Sequence, residues 1–173
     1  MSERNEESNK GSIWKERGTC AIYTRATMVF GEDSKIKDNE SQRTKCEAII
    51  NVMWKFVPLS KRYDDTEVDI DGLDRPALQE LFNDIKFGLV NTVVFYALDV
   101  ISTSFKTITE IMKVFKEHNV RVIVAGQNVD TATLSGRHVF LRIADLAPFE
   151  KTTEELKYLK NQSEEINEDE WDV

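Results

Sequence analysis

The stretch TVVFYALDVISTSFKTITEIMKVFKEHNVRVIVA, residues 92–125, decides the fold class of this chain. Its two ends, 92–98 and 120–125, are short runs rich in β-branched and aromatic residues, which predict buried strands. Between them, residues 105–118 carry apolar side chains at helical spacing. Continuous rather than alternating apolar strands around a helix are typical of parallel strands in a sheet that is covered on both faces.

Further strands and helices are predicted on the N-terminal side of this unit. Residues 19–24, TCAIYT, predict a buried strand, and residues 57–63 predict a weaker one that is opened by Pro58. Residues 40–56 place their apolar side chains on one helical face. Asp74 is the expected N-cap of another helix that ends at about residue 87.

On the C-terminal side, residues 126–136 are polar and predict a loop. A last helix is expected to start near Gly136 and to run past Leu146. Pro148 should interrupt or kink this helix, because proline lacks a backbone N–H. The sequence therefore predicts an α/β fold with a mostly parallel four- to five-stranded sheet, helices on both faces and a C-terminal helix.

Charge is spread unevenly over the 173 residues, which carry 31 acids and 23 bases for a formal net charge of −8. Residues 161–173 hold six acids and no base, whereas residues 19–160 hold 21 acids and 19 bases. We therefore expect one near-neutral domain at 19–160, a flexible polar arm at 1–18 and an acidic, disordered tail at 161–173. This balance argues against a free-standing nucleic-acid binder, which usually carries a basic field.

Several classes of function find no support in the sequence. No apolar run reaches 18 residues, so no membrane span is expected, and the polar N-terminus is unlike a secretory signal. Cys20 and Cys46 are too few for a disulfide scaffold, which favours free thiols and a cytoplasmic location. No glycine-rich phosphate loop is present, and neither His118 nor His138 has a cysteine or carboxylate at zinc spacing. Neither a cofactor nor a metal is therefore expected.

The most informative pattern is distributed along the chain, at the ends of the predicted strands and in the helices that follow them. In order, its parts are Tyr23-Thr-Arg25-Ala-Thr27, Gln42, Arg75-Pro-Ala-Leu78, Asp99, Asp130-Thr-Ala-Thr-Leu-Ser-Gly136 and Ala147-Pro-Phe-Glu150. Their order and spacing over about residues 19–160 resemble the catalytic domain of the serine recombinases, the resolvase and invertase family. The resemblance implies the fold of that domain, with a last helix of the type that builds its dimer interface.

The resemblance also implies roles for individual residues. The family's nucleophilic serine falls on Thr27. Arg25 matches the arginine of the first strand, and Gln42 and Arg75 match positions that resemble phosphate-contacting residues of the family. The carboxylates of the pattern are also kept, at Asp99 and Glu150.

The sequence departs from the family pattern where positive charge is needed. Two arginines of the family fall on Val100 and Thr103, the arginine after Glu150 is Lys151, and Pro148 replaces a glutamate. Transesterification at a phosphate builds negative charge that arginine stabilises and that valine or threonine does not. The extra methyl group of a threonine nucleophile also crowds its attack. Together these losses should raise the barrier by about 6 kcal/mol or more, which is about four decades in rate.

The leading hypothesis is therefore a catalytically degenerate, stand-alone serine-recombinase domain that acts through protein contacts. It predicts a homodimer, or a heterodimer with a full-length recombinase, that pairs through an apolar stripe of the last helix at Val139, Phe140, Ile143 and Leu146. Since an acidic tail stands where the family attaches a DNA-binding module, we expect no independent sequence-specific DNA binding.

Two alternative hypotheses use the same residues. In the first, the domain is an active recombinase that transfers DNA strands, with Thr27 as nucleophile and Arg25, Arg75 and Lys151 as cations. In the second, it is a doubly wound module that binds a small anionic ligand at the carboxyl ends of its strands. The acidic tail is either a solubilising terminus or a peptide that docks Trp171 on a basic groove of a partner.

Overall fold

The structure, a computed structural model, describes residues 19–26, 38–66 and 72–150 of the chain. These residues form the strands β1 (Thr19–Arg25), β2 (Val57–Pro58), β3 (Tyr63–Asp65), β4 (Thr92–Phe95), β5 (Arg121–Val124) and β6 (Val129–Asp130). They also form the helices α1 (Asn39–Met53), α2 (Pro76–Lys86), α3 (Leu98–Ile101), α4 (Phe105–Glu117) and α5 (Leu134–Leu146). Two short 3-10 helices, Ala125–Gln127 and Ala147–Phe149, follow β5 and α5.

The strands join into one sheet that is built around β1 and β4. These two strands pair in parallel, with Ala21 beside Val93, and β4 pairs in parallel with β5. On its other side β1 pairs in parallel with both β2 and β3, so these two short strands share one edge. At the opposite edge β6 runs antiparallel to β5. The prediction of a mostly parallel sheet is confirmed, with six strands in five positions.

Apolar side chains cover both faces of the sheet. On one face Tyr23 and Phe95 meet edge to face, with ring centroids 5.5 Å apart, in a core that α2, α4 and α5 complete. On the other face Ile22 packs with Cys46 and Ile50 of α1. The prediction of helices on both faces is therefore confirmed.

Three elements differ from their predicted bounds because contacts between distant residues override the local pattern. The single strand expected at 57–63 is interrupted between β2 and β3. The strand expected at 92–98 ends at Phe95, and α3 begins where the side chain of Gln127 accepts from the backbone N–H of Leu98. The loop expected at 126–136 contains β6, because Asn128 reverses the chain in a left-handed conformation with φ of 53°.

The start of α2 corrects the prediction that Asp74 is its N-cap. The N-cap position is Arg75, whose side chain makes no capping hydrogen bond, and Pro76 is the first helical residue. The carboxylate of Asp65 in β3 accepts instead from the backbone N–H groups of Ala77 at 2.8 Å and Leu78 at 3.2 Å. A neighbouring strand therefore supplies the acceptor that the start of the helix needs.

The apolar stripe expected on the last helix is also corrected. Phe140 and Ile143 are buried in the core of the domain, and Val139 packs against that core. The helix uses these residues mainly for packing within its own domain. The large apolar side chains left exposed along α5 and the turn after it are Leu134, Leu141, Leu146 and Phe149. Pro148 ends α5 in a 3-10 turn, as its backbone chemistry predicts.

Some sequence predictions fall on residues that the structure does not describe. The arm at 1–18 and the acidic tail at 161–173 lie outside the described residues, as does the predicted domain end at 160. Within the described ranges, no helix has both the length and the apolar character that a membrane span requires.

Candidate functional site

Four residues of the predicted site lie at or after the carboxyl ends of the parallel strands β1, β3 and β4. Arg25 is the last residue of β1, and Asp99 lies in α3, directly after β4. Gln42 stands in the first turn of α1, and Arg75 immediately precedes α2. In an open parallel sheet this edge is where ligands usually bind. The topology therefore brings together residues that are far apart in the sequence.

Gln42 and Arg25 are joined through the backbone of β1. The Gln42 side-chain amide donates to the carbonyl oxygen of Arg25 at 2.7 Å, and its oxygen accepts from the backbone N–H of Arg25 at 3.1 Å. The Arg25 guanidinium donates to the backbone carbonyl of Asp99 at 2.8 Å. Since both Arg25 and Gln42 are buried, these bonds fix the end of β1 against α1 and α3.

Arg75 is buried completely, with an exposed fraction of 0%. Its Nε donates to the carbonyl of Gly72 at 3.0 Å and its Nη2 to the carbonyl of Ile101 at 2.7 Å. Its Nη1 donates to the Tyr23 hydroxyl at 3.1 Å, and the guanidinium lies 5.6 Å from the centre of the Tyr23 ring. All three nitrogens are therefore engaged with groups of the domain itself.

The Tyr23 hydroxyl continues this network to a buried carboxylate. It donates to Asp65 Oδ2 at 2.7 Å, and Asp65 is the residue that also accepts from the start of α2. Burial raises the pKa of Tyr23 far above its usual value, and the Asp65 carboxylate adds to this rise while Arg75 opposes it. Arg75, Tyr23 and Asp65 thus form one continuous chain of buried hydrogen bonds, which we call the Arg75–Tyr23–Asp65 network.

The two positions at which the family pattern has further arginines add no charge to this edge. The Val100 side chain is buried in the core, and its backbone carbonyl faces Arg75 Nη1 at 3.5 Å. Thr103 is exposed in the turn between α3 and α4. The departures from the pattern therefore fall on one core position and one neutral surface position.

Glu150 lies at a different place in the fold, at the start of α4. Its carboxylate accepts from the Ser104 hydroxyl at 2.9 Å and from the backbone N–H groups of Phe105 at 3.0 Å and Lys106 at 3.1 Å. Burial alone would raise the pKa of Glu150, but these hydrogen bonds hold it below its usual value. Among the described residues, the Glu150 carboxylate accepts hydrogen bonds only from residues 104–106, so this side chain serves as a helix cap there.

The segment Asp130-Thr-Ala-Thr-Leu-Ser-Gly136 positions the start of α5. Asp130 accepts from Arg121 at 2.6 Å and 3.0 Å and from the Trp54 indole at 3.0 Å. The hydroxyl of Thr133 caps α5 by accepting from the backbone N–H of Gly136. A Cβ atom on Gly136 would stand 2.0 Å from the carbonyl oxygen of Asp130, so glycine is required there. These contacts give the motif a structural role.

Thr27 and Lys151 lie outside the described residues, so their roles as nucleophile and cation stay predictions. In the part of the chain that the structure describes, no group of three or more histidine, cysteine or acidic residues is arranged to hold a metal ion. The site roles that the resemblance implies for Arg25, Gln42, Arg75 and Asp99 stay predictions, and the sequence pattern assigned no role to Tyr23 or Asp65. The local sequence gives little signal for that pair, because 42 residues separate its members.

The protein is a parallel α/β domain with polar side chains at the carboxyl ends of its strands. In both respects it resembles a recombinase catalytic domain. Residues 20–165 match the family described as Resolvase, N terminal domain. The chain belongs to the resolvase family.

Individual relatives agree with this assignment. The Transposon Tn917 resolvase of Enterococcus faecalis is 42% identical over 78 residues, which cover 45% of this chain and 41% of that protein. The chain thus spans about two fifths of the length of this relative. The N-terminal catalytic domain of TP901-1 integrase superposes with a TM-score of 0.62 at 26% identity, over 76% of this chain and 95% of that one.

A second solved structure shows the same fold at lower identity. A resolvase family site-specific recombinase from Streptococcus pneumoniae superposes with a TM-score of 0.62 at 14% identity. The superposition covers 87% of this chain and 99% of that one. Family membership disfavours the hypothesis of a doubly wound module unrelated to recombinases.

Proposed function

We propose that this chain is a catalytically degenerate serine-recombinase domain that acts through protein contacts. The observation that carries the proposal is the state of Arg75, which is wholly buried and donates to Gly72, Tyr23 and Ile101. Stabilising a phosphate in its transition state requires donors that are aimed at the ligand. Here the donors of this cation are aimed at the protein, and the Val100 position supplies no replacement charge.

Catalysis is tested by trapping a covalent adduct between the protein and supercoiled DNA that carries a recombination site. We expect no adduct from the wild-type chain or from Thr27→Ala, even at high protein concentration. An active full-length resolvase in the same buffer serves as the positive control. A wild-type adduct that disappears in Thr27→Ala would overturn the proposal and assign strand transfer to Thr27.

The protein contacts of the proposal are placed on α5 and the turn that follows it. Leu146 is 49% exposed and Phe149 is 81% exposed, close together in the sequence. Contiguous exposed apolar surface marks interaction sites, and two such side chains three residues apart can contribute to one. We place the contact with a second copy, or with a full-length recombinase, at these side chains.

Light scattering coupled to size-exclusion chromatography tests this contact, on the chain alone and after mixing with a full-length resolvase. We expect the mass of a dimer or of a mixed complex, and a shift toward monomer in Leu146→Asp/Phe149→Asp. The matched control is Phe87→Asp, at an equally exposed phenylalanine on another helix end, which should change nothing. A chain that stays monomeric and binds no recombinase would contradict the proposal.

A further inference from the structure

A groove of about 650 Å³ runs between α4 and α5. Its floor and walls are apolar and include Ile108, Met112, Phe140, Leu141 and Ala144. Leu141 is 58% exposed, although Phe140 and Ile143 of the same helix are packed into the core. The volume falls within the range of about 300–1,000 Å³ that is typical of sites that enclose a compact ligand.

The rim of this groove is basic. Lys113 and Lys116 of α4 stand on one side, and Arg137 of α5 stands on the other. All three side chains are exposed. Among the described residues none of the three forms an ion pair, and the guanidinium of Arg137 donates only to the carbonyl of Thr131. An apolar cleft with unneutralised cations on both edges suits an acidic segment that also carries large apolar side chains.

Residues 161–173 of the same chain, NQSEEINEDEWDV, have this composition. They hold six acids and no base, and Ile166 and Trp171 provide two large apolar side chains among them. We propose that this acidic segment docks in the groove between α4 and α5 of its own domain, with Trp171 in the apolar cleft and the flanking acids on the basic rim. The inference does not depend on whether the domain cuts DNA.

The connection is long enough for this arrangement. Glu150 is held at the start of α4 by Phe105 and Lys106. From there to Lys116 the helix rises by about 16 Å, at about 1.5 Å per residue. Residues 151–160 can span up to about 33 Å when extended, so the acidic segment can reach both lysines. A docked segment covers Leu141 and competes with any partner that uses this groove.

Photo-crosslinking in the full-length chain tests the proposal. With p-benzoylphenylalanine in place of Trp171, mass spectrometry should find cross-links within one chain to peptides of α4 and α5. Lys113→Glu/Lys116→Glu should lower their yield about fivefold, since each rim ion pair contributes modestly. The control Lys55→Glu/Lys86→Glu changes two exposed lysines away from the groove and should leave the yield unchanged.

A second variant reverses charges in the acidic segment and leaves the groove unchanged. It separates a loss of docking from misfolding of the groove. Glu168→Lys/Glu170→Lys alters only the acidic segment and should lower the yield as much, and combining it with Lys113→Glu/Lys116→Glu should restore cross-linking. Cross-links that form only between two chains would overturn the proposal in favour of a second copy. Cross-links scattered over the surface, or insensitive to both charge reversals, would also overturn it.

Discussion

At the scale of residues, the Arg75–Tyr23–Asp65 network places opposite charges inside the domain with a hydroxyl between them. The network satisfies the first backbone N–H groups of α2 and a carbonyl at the end of α3 together. Removing the guanidinium leaves buried and partly buried acceptors without their charged donor, which costs far more than the loss of an exposed ion pair. Arg75 is therefore expected to be a stability determinant.

We expect Arg75→Met to lower the free energy of unfolding by about 3 kcal/mol or more, because three buried or partly buried acceptors then lose their charged donor. The matched control is Arg62→Met, which removes ion pairs with Glu40 and Asp64 at a partly exposed site. It should cost less than about 1 kcal/mol. Urea unfolding followed by circular dichroism measures both variants, and equal losses would contradict the role of the network.

The location of a side chain in the sheet could be predicted better than its hydrogen-bond partners. The sequence predicts that Arg25 and Asp99 lie at one edge, because both follow strands of the same parallel sheet. It does not predict that the guanidinium of Arg25 bonds to a backbone carbonyl of Asp99 rather than to a ligand. Hydrogen-bond partners of this kind change when the distance between two segments changes by a few tenths of an ångström. A sequence pattern does not encode distances that finely.

At the scale of elements, the ionised carboxylate of Glu150 stabilises α4. A carboxylate whose pKa is lowered in the folded state stabilises above its unfolded pKa and loses that contribution as the pH falls through the folded pKa. We expect Glu150→Gln to lower the free energy of unfolding by about 1 kcal/mol at pH 7. The difference from wild type should shrink as the pH falls below the usual pKa of glutamate, because the carboxylate is then protonated in the folded state too.

The control for this effect is Glu110→Gln, on the exposed surface of α4, which should change stability by less than about 0.5 kcal/mol. Urea unfolding of the three proteins at pH 7 and at pH 3 gives the comparison. A loss in Glu150→Gln that persists at pH 3 would show that the charge is not responsible.

A substitution at Gly136 tests the structural role of the motif at residues 130–136, which positions the start of α5. Alanine at an exposed helical glycine usually stabilises a protein by about 1 kcal/mol. Here we expect Gly136→Ala to destabilise by about 2 kcal/mol or more, because its Cβ would meet the carbonyl of Asp130. Gly88→Ala, where the space is open but φ is +73°, should cost about 1 kcal/mol. Thermal unfolding measures the stability of both variants, and we expect Gly136→Ala to have the lower melting temperature.

The long elements could be predicted from the sequence, and the short ones could not. The helix α4 lies within one residue of its predicted bounds, since its apolar spacing is a local property. The strand β6 has two residues and exists because β5 offers an open edge to it. Asp65 caps α2 from another strand, so no local signal near Asp74 could have revealed it.

At the scale of the whole molecule, both thiols lie in the interface between α1 and the sheet. Burial raises the pKa of Cys20 and of Cys46 to about 12. Thiolate is the reactive form, so the native protein should resist thiol reagents. The thiols therefore report on the opening of this interface.

We expect neither cysteine to react promptly with a thiol reagent in native buffer, and both to react once urea unfolds the chain. The control is Ser60→Cys, at an exposed position between β2 and β3, which should react at once. The reaction is followed by the absorbance of the coloured thiolate that an aromatic disulfide reagent releases when it reacts with a cysteine. Prompt labelling of the wild-type chain would mean that α1 separates from the sheet more readily than the packing indicates.

The cap that Asp65 provides has a consequence for how this chain can vary. The start of α2 is held by a strand of the sheet, through the Asp65 carboxylate. Insertions between residues 66 and 72 should therefore leave the helix in place, and each doubling of the connection would cost only about 0.6 kcal/mol. Gly72 sets the limit, since its carbonyl is bound by Arg75. We therefore expect the connection before Gly72 to accept an inserted reporter peptide without loss of α2.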